Sequence, residues 1–488
     1  MIKVASCDKT GSVFIDKEDV YRTITNFEAD KVIKMLSKLD EGINGLIETE
    51  ILKNDDQPDD IKGLNSSLVL RHRKVQPISY PHEWCASMLK DASLFHLELS
   101  KNLHKKGLFL KDAHPWNILF DSGKPVFVDI TSIVSKDDLF NENYLNANNQ
   151  FDGDSDKLRI NMISSEIFNR MLKPYFLNPL LFYATGNRDL VRSRIENSTI
   201  NASTSLISEN ECMPRRFNRN SIYKFVRYLA ARFKISGIYK NYKSRGDLPS
   251  FYSDLSSYIE RLPVDVRASS YSNYYSDKDE DQNIKFCNEW NNKQKEVHNA
   301  INSSNINTVL DVACNTGWFA LMAESLDKHV TAFDIDESCV DVLYQKVKSD
   351  QLNILPLVMN FTNLTETRYS IYDGNPVLIN AIERLKSDSV MVLGIIHHLV
   401  LGLGMTFEEI LEPLSLLTNK QLIIEYVEKD DDKILNQSTF FPAYHKDQTL
   451  IENYDLNKLI SHLEKLNFKI NIRPSYPETR KILICNRQ

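Results

Sequence analysis

Apolar positions along the first third of the chain alternate between strand and helix periods. GSVFI (11–15) and VYRTI (20–24) read as short strands. NFEADKVIKMLSKL (26–39) sets Phe27, Val32, Ile33, Met35 and Leu36 at helical spacing, with Asn26 as the expected N-cap. LIETEIL and SLVLRHRKV give two more strands, and YPHEW marks a turn. HEWCASMLKDASLFHLELSKNLHKK (82–106) predicts a long amphipathic helix stopped by Gly107. Loop, strand, Asp-Ser-Gly turn and strand follow, then a helical pattern from about 155 to 200. Beyond Ile284 a regular strand–helix alternation runs to the end of the chain.

Between these regions the pattern breaks. NSTINASTSLISENE and SSYSNYYSDKDEDQ (269–282) are polar, linker-like stretches. Residues 215–245 lie between them, carrying ten Lys or Arg and no acid among many aromatics. Two readings of that segment stand: a helix packing its aromatics inside the protein, or a face meeting an anionic glycan, lipid or membrane surface. The expected division is 1–200, a helical linker region 201–283, and 284–488. A chain of 488 residues exceeds one ordinary core, which agrees with two domains.

Composition excludes more than it assigns. A formal net charge of −7 gives no support for nucleic-acid binding. The seven cysteines are scattered without CxxC spacing, so reduced thiols are expected and neither a zinc site nor a disulfide framework. The first residues lack an apolar signal region, and VMVLGIIHHLVLGLGM (390–405) is too short to span a bilayer. The expected compartment is the cytoplasm.

Candidate chemistry appears twice. NTVLDVACNTGWFALMAESL (307–326) is a buried strand, a tight turn of small residues and a helix, and HVTAFDID ends a second strand in Asp334. Such a turn brings backbone close to a ligand at the carboxyl edge of a sheet, and an acid ending the next strand suits ribose hydroxyls. This resembles the class I S-adenosylmethionine-dependent methyltransferases, whose loop reads roughly D-x-G-x-G-x-G; here only Gly317 of those glycines stands. With LPLVMNFTNL, SVMVLGIIHHLVLG and QLIIEYVEKDD, the region resembles a bacterial, nodulation-protein-like methyltransferase family. The resemblance implies a Rossmann-like α/β domain binding S-adenosylmethionine. Asp311, Ala313, Cys314, Asn315 and Gly317 would line the methionine and ribose side, Asp334 the ribose, and Asn360 the adenine amino group. His397 or His398 would meet the methyl acceptor as general base, with Glu425 and Glu428 orienting it. The acceptor is expected to be a small molecule or a glycan or glycolipid precursor, its specificity lying in loops 365–388 and 432–450.

The second pattern is LKDAHPWNILFDSGKPVFVD (110–129). D-x-H-x-x-N followed by a strand-borne aspartate resembles the aminoglycoside-phosphotransferase branch of the kinase fold, which implies a reduced α+β kinase-like domain at the N-terminus, joined by helices to the other. Asp112 would be the base, Asn117 and Asp129 would hold magnesium beside ATP, and His114 would be a structural partner. No glycine-rich loop and no V-A-I-K lysine are present. Arg22 is the nearest cation to serve Glu28 and a phosphate. Active phosphotransfer, and a scaffold that has lost it, both remain open at this point.

Overall fold

A computed structural model describes residues 1–4, 10–39, 43–62, 64, 67–141, 155–184, 191, 219–264, 289–369, 376–435, 441, 443, 447 and 449–488. These form two compact units, Met1–Val266 with Arg368–Leu378, and Arg267–Thr367 with Ile379–Gln488. The expected divisions at 200/201 and 283/284, both polar stretches, and Cys7, Cys212 and Cys287 lie outside the described residues.

In the N-terminal unit, β1 (Ile2–Val4), β2 (Gly11–Ile15), β3 (Asp19–Ile24), β4 (Thr49–Leu52) and β5 (Leu68–Arg73) form an antiparallel sheet in the order β1-β2-β3-β5-β4. Helix Ala29–Leu39 joins β3 to β4 and buries Val32 and Met35. It begins three residues after Asn26, so that residue is no N-cap. Phe27, expected on the buried face, stands in the preceding turn and is 93% exposed, and Ile33 is exposed as well. The long helix forms over Ala86–Lys105 and stops before Gly107, whose φ of +68° suits a helix end.

Two nested pairs follow. β6 (Leu108–Leu110) pairs with β9 (Ile133–Ser135), and β7 (Ile118–Asp121) forms a hairpin with β8 (Lys124–Phe127). The loops joining inner to outer pair, 111–117 and 128–132, carry Asp112, Asn117 and Asp129. A π-helical turn over Phe168–Leu177 and helices Arg219–Arg245 and Leu248–Glu260 belong to the same unit, which also takes in the short pair β13 (Arg368–Tyr369) and β14 (Pro376–Leu378).

The C-terminal unit is built on a seven-stranded sheet. β10 (Thr308–Val312), β11 (His329–Asp334), β12 (Ile354–Val358), β15 (Ser387–Val392) and β16 (Thr418–Val427) run parallel. The order is β12-β11-β10-β15-β16-β18-β17, with β18 (Arg480–Arg487) antiparallel to both β16 and β17 (Phe468–Pro474). Every residue of β12 and β15 is buried, which explains the unbroken apolar run of β12 and of Val390–Val392 in β15. The expected strand–helix alternation runs to β16, interrupted between β12 and β15 by the pair β13–β14, and the chain then closes with an antiparallel pair. This is an open, Rossmann-like α/β sheet. Its strand order reverses between β10 and β15, and ligands of such sheets bind outside the carboxyl ends of the strands at that reversal.

Candidate functional site

The loops after β10 and β15 border the reversal. After β10, Ala313, Asn315 and Gly317 all take left-handed backbone, with φ of +58°, +53° and +84°. The amides of this loop are committed within the protein. Cys314 N–H donates to the Phe333 carbonyl (3.0 Å), Asn315 N–H to Asp334 Oδ2 (2.8 Å), Thr316 N–H to Asn315 Oδ1 (2.7 Å), and Gly317 N–H to the Cys314 carbonyl (2.9 Å). Asp334 Oδ1 accepts from Asp336 N–H at 2.8 Å, so this carboxyl pins the loop to the end of β11.

Asp311 is the outstanding group. It is buried, and its Oδ2 has no hydrogen-bond partner. Burial first, then neighbouring Asp334, pushes its carboxyl up to about 8, against the opposing pull of Lys293 and a backbone bond at Ala320. Asp334 is raised too, chiefly by burial. Burial also pushes the Cys314 thiol up, so it stays protonated. Asn360 Oδ1 accepts from Thr362 N–H at 3.1 Å and caps the turn Phe361–Asn363. Gly317 also serves packing: a Cβ there would meet the Leu343 side chain at 2.6 Å, so the core leaves no room for a side chain.

On the other side of the reversal, His397 is 3% exposed and its Nδ1 has no partner. Burial foremost, then His398, Arg480 and Lys293, holds its imidazole well below the usual histidine range. The ring lies 4.2 Å from that of His398, and both face Phe441, at 6.1 and 5.6 Å. Of the two histidines only His397 is buried.

Glu425 does not orient either histidine through the bonds it makes. Its Oε2 accepts from Lys293 Nζ at 2.8 Å, its Oε1 accepts from Ser475 Oγ at 3.2 Å, and Arg480 stands 3.8 Å from Oε1. Arg480 also bonds Asp431 through Nε at 3.0 Å. Glu428 pairs with Lys481 instead. Lys293 sits in the first turn of helix Asn292–Ile301, where Asn291 and Gln294 form a capping box. Sequence reasoning passed over Lys293, Asp431, Ser475 and Arg480, because nothing local distinguishes a buried ion pair from solvated charges.

In the N-terminal unit Asp112, Asn117 and Asp129 meet around Ser132. Ser132 Oγ donates to Asp129 Oδ2 at 2.6 Å and lies 3.4 Å from Asp112 Oδ2, while Asn117 Nδ2 donates to Ser132 Oγ at 3.2 Å. Arg22 Nη2 lies 2.9 Å from Asp129 Oδ1, and its other terminal nitrogen donates to Thr131 Oγ1. Burial works to raise the Asp129 carboxyl, yet Arg22 and the hydroxyls of Ser132 and Thr131 outweigh it and the net shift is downward. Arg22 was expected beside Glu28; Glu28 bonds Lys31 at 3.0 Å. His114 is half-buried with its Nδ1 enclosed and unpartnered, its imidazole pushed down by desolvation against Asp112 and Asp129. Among the described residues no three His, Cys, Asp or Glu side chains gather as a metal site.

Comparison with known proteins yields one curated relative: nodulation protein NoeA of Rhizobium meliloti (strain 1021) is 24% identical over 451 residues, spanning 88% of this chain and 85% of that protein. No protein-family model matches. Similar solved structures include magnesium protoporphyrin IX methyltransferase (ChlM) from Synechocystis PCC 6803 with bound SAH, 15% identical over 42% of this chain and 91% of that one, with a TM-score of 0.28. A SAM dependent methyltransferase from Aquifex aeolicus is 15% identical over 41% of this chain and 90% of its own, also at 0.28.

Proposed function

We propose that the C-terminal unit is an S-adenosylmethionine-dependent methyltransferase acting on a hydroxyl oxygen of a small molecule or of a glycan or glycolipid precursor. The observation that carries this reading is the chemistry of the loop after β10. A dinucleotide site spends free loop amides on a pyrophosphate. Here the four amides from Cys314 to Gly317 are bonded internally, so the loop has none to spend on a pyrophosphate. An orphaned, buried Asp311 oxygen calls for a donor, and a cationic nucleoside with an ammonium group supplies one.

S-adenosylmethionine, when bound, supplies the methyl group on an electrophilic sulfonium. Asp311 would take the ammonium, Asp334 the ribose hydroxyls, and Asn360 the adenine edge. His397, kept neutral, has the free nitrogen that a hydroxyl acceptor needs, and it lies across the strand-order reversal from Asp311. Catalysis then rests on holding the acceptor in line, with a base for its proton.

Titration calorimetry tests the reading. S-adenosylmethionine should bind and NAD should not; no heat with S-adenosylmethionine, or equal affinity for both, would remove it. Incubation with cell extract should then yield a species heavier by one methylene, identified by mass spectrometry.

For the N-terminal unit a second reading is favoured by one contact. It is a kinase-like scaffold without phosphotransfer, because the Arg22 guanidinium stands against Asp129, where a magnesium ion would have to bind.

A further inference from the structure

Helix Arg219–Arg245 has two apolar faces, and one of them packs. Tyr228, Ile235 and Tyr242 are buried at seven-residue spacing. Tyr242 stacks on Phe251 of the next helix at 4.6 Å, and Tyr239 on Phe168 at 5.1 Å. The opposite face is different. Tyr223, Val226 and Phe233 are 61%, 56% and 74% exposed. With Ala230 and Gly237 they advance by steps of three and four residues, which keeps them on one line of the helix. Arg227 and Lys234 border that line on one side and Lys240 on the other, all exposed. The helix holds eight Lys or Arg and no acid, in a chain of net charge −7.

We propose that this face docks on an anionic lipid surface, with Val226 and Phe233 entering the acyl boundary and Arg227, Lys234 and Lys240 meeting headgroup phosphates. The combination decides the occupant. A soluble polyanion would satisfy the bases and leave the Phe233 ring in water. A second copy on the same face would bring two base-rich helices together. A lipid surface answers both, because lysine and arginine stems run along apolar surface while their charges reach the phosphates. Among the described residues no helix is long and apolar enough to cross a membrane, so the contact lies in the plane of the interface. This inference is independent of methyl transfer.

Vesicle flotation of the full chain tests it. Phosphatidylcholine vesicles containing phosphatidylglycerol should carry the protein, pure phosphatidylcholine should not, and binding should fall as salt rises. Each base near such a surface contributes about 1 kcal/mol, roughly fivefold, so the Arg227→Ala, Lys234→Ala double variant should bind roughly 25-fold more weakly. Phe233→Ser should weaken binding several-fold; its ring is already 74% exposed, and an unchanged circular dichroism spectrum would show the fold intact. Absence of binding to the anionic vesicles would overturn the proposal. So would binding that Phe233→Ser leaves unchanged, which marks charge attraction alone. A concentration-dependent dimer that Phe233→Ser abolishes would assign the face to a second copy and overturn it equally.

Discussion

Lys293 Nζ lies 2.8 Å from Glu425 Oε2, and Glu425 is wholly buried near the carboxyl end of β16. Ser475 and Arg480 serve the other oxygen, and Asp431 serves Arg480. Four alternating charges thus share this end of the sheet, and two of them help to keep His397 neutral. A Cβ on Gly394, in the loop before His397, would lie 3.5 Å from Glu425 Oε2, so the chain of charges runs directly beside that loop.

Removing one member should cost more than removing a pair. Lys293→Met leaves a buried carboxylate short of a cation and should destabilise the protein by about 3 kcal/mol. Lys293→Met with Glu425→Gln should recover most of that loss. Urea denaturation of these two variants and of Glu425→Gln alone measures the coupling; additive losses would show that the two residues do not act as a pair.

Asp311 makes cofactor affinity depend on pH. Its carboxyl sits at about 8 in the free protein, so it is largely protonated at pH 6.5. An ammonium partner favours the charged form, and binding should therefore release a proton. Affinity for S-adenosylmethionine should rise from pH 6.5 to 8.5, and Asp311→Asn should bind weakly with little pH dependence. Stability runs the opposite way. The folded value lies above the ordinary 3.8, so this group's contribution is full below about 4 and is lost as pH rises through 8. At pH 9 the Asp311→Asn variant should melt above the wild type, and near pH 4 the two should converge.

His397→Ala should lower turnover by about 10²–10⁴ and leave S-adenosylmethionine affinity nearly unchanged. Because the imidazole is held well below its usual range, kcat/KM should show no acidic limb near pH 6.5 in the wild type. A limb at that pH, absent in His398→Ala, would transfer the role to His398. Normal turnover in both variants would place acceptor activation elsewhere.

Parts of this arrangement are legible in the chain and parts are not, for physical reasons. VLDVACNTGWFA announces its strand, turn and helix because a parallel strand buried on both faces is apolar nearly throughout, here at all but Asp311 from Val309 to Val312, and left-handed turn positions favour small residues and asparagine. Asp334 is legible as a strand end. Its partner N–H groups are not, since they depend on how the loop after β10 folds back. Lys293 and Glu425 lie 132 residues apart, and each reads alone as a solvated charge. Phe27 shows the converse: its spacing matched a buried face, but the helix starts at Ala29 and the ring is left outside. In the N-terminal unit, Asp112 and Asn117 of D-x-H-x-x-N and the later Asp129 gather around Ser132. Only the β3 register, which pairs Arg22 with Leu70, carries the arginine that meets them.

That arginine gives the last prediction. Arg22 and Asp129 are 13% and 17% exposed, and the Asp129 oxygens receive Arg22, Thr131 and Ser132. A divalent cation at Asp129 would have to displace a guanidinium that is already bonded there. Magnesium, with or without ATP, should therefore leave the wild-type melting temperature unchanged. Arg22→Met should destabilise by about 3 kcal/mol, since it strands a buried carboxylate, and Arg22→Lys by less because the charge is kept. Arg22→Met with Asp129→Asn should return most of the loss. In the single Arg22→Met variant the freed carboxyl stays in a cluster with Ser132, Asn117 and Asp112, all oxygen-bearing side chains, and added magnesium should raise the melting temperature. A magnesium–ATP shift in the wild type, abolished by Asp129→Ala, would instead establish a nucleotide site and end the reading of Arg22 as a built-in counter-ion.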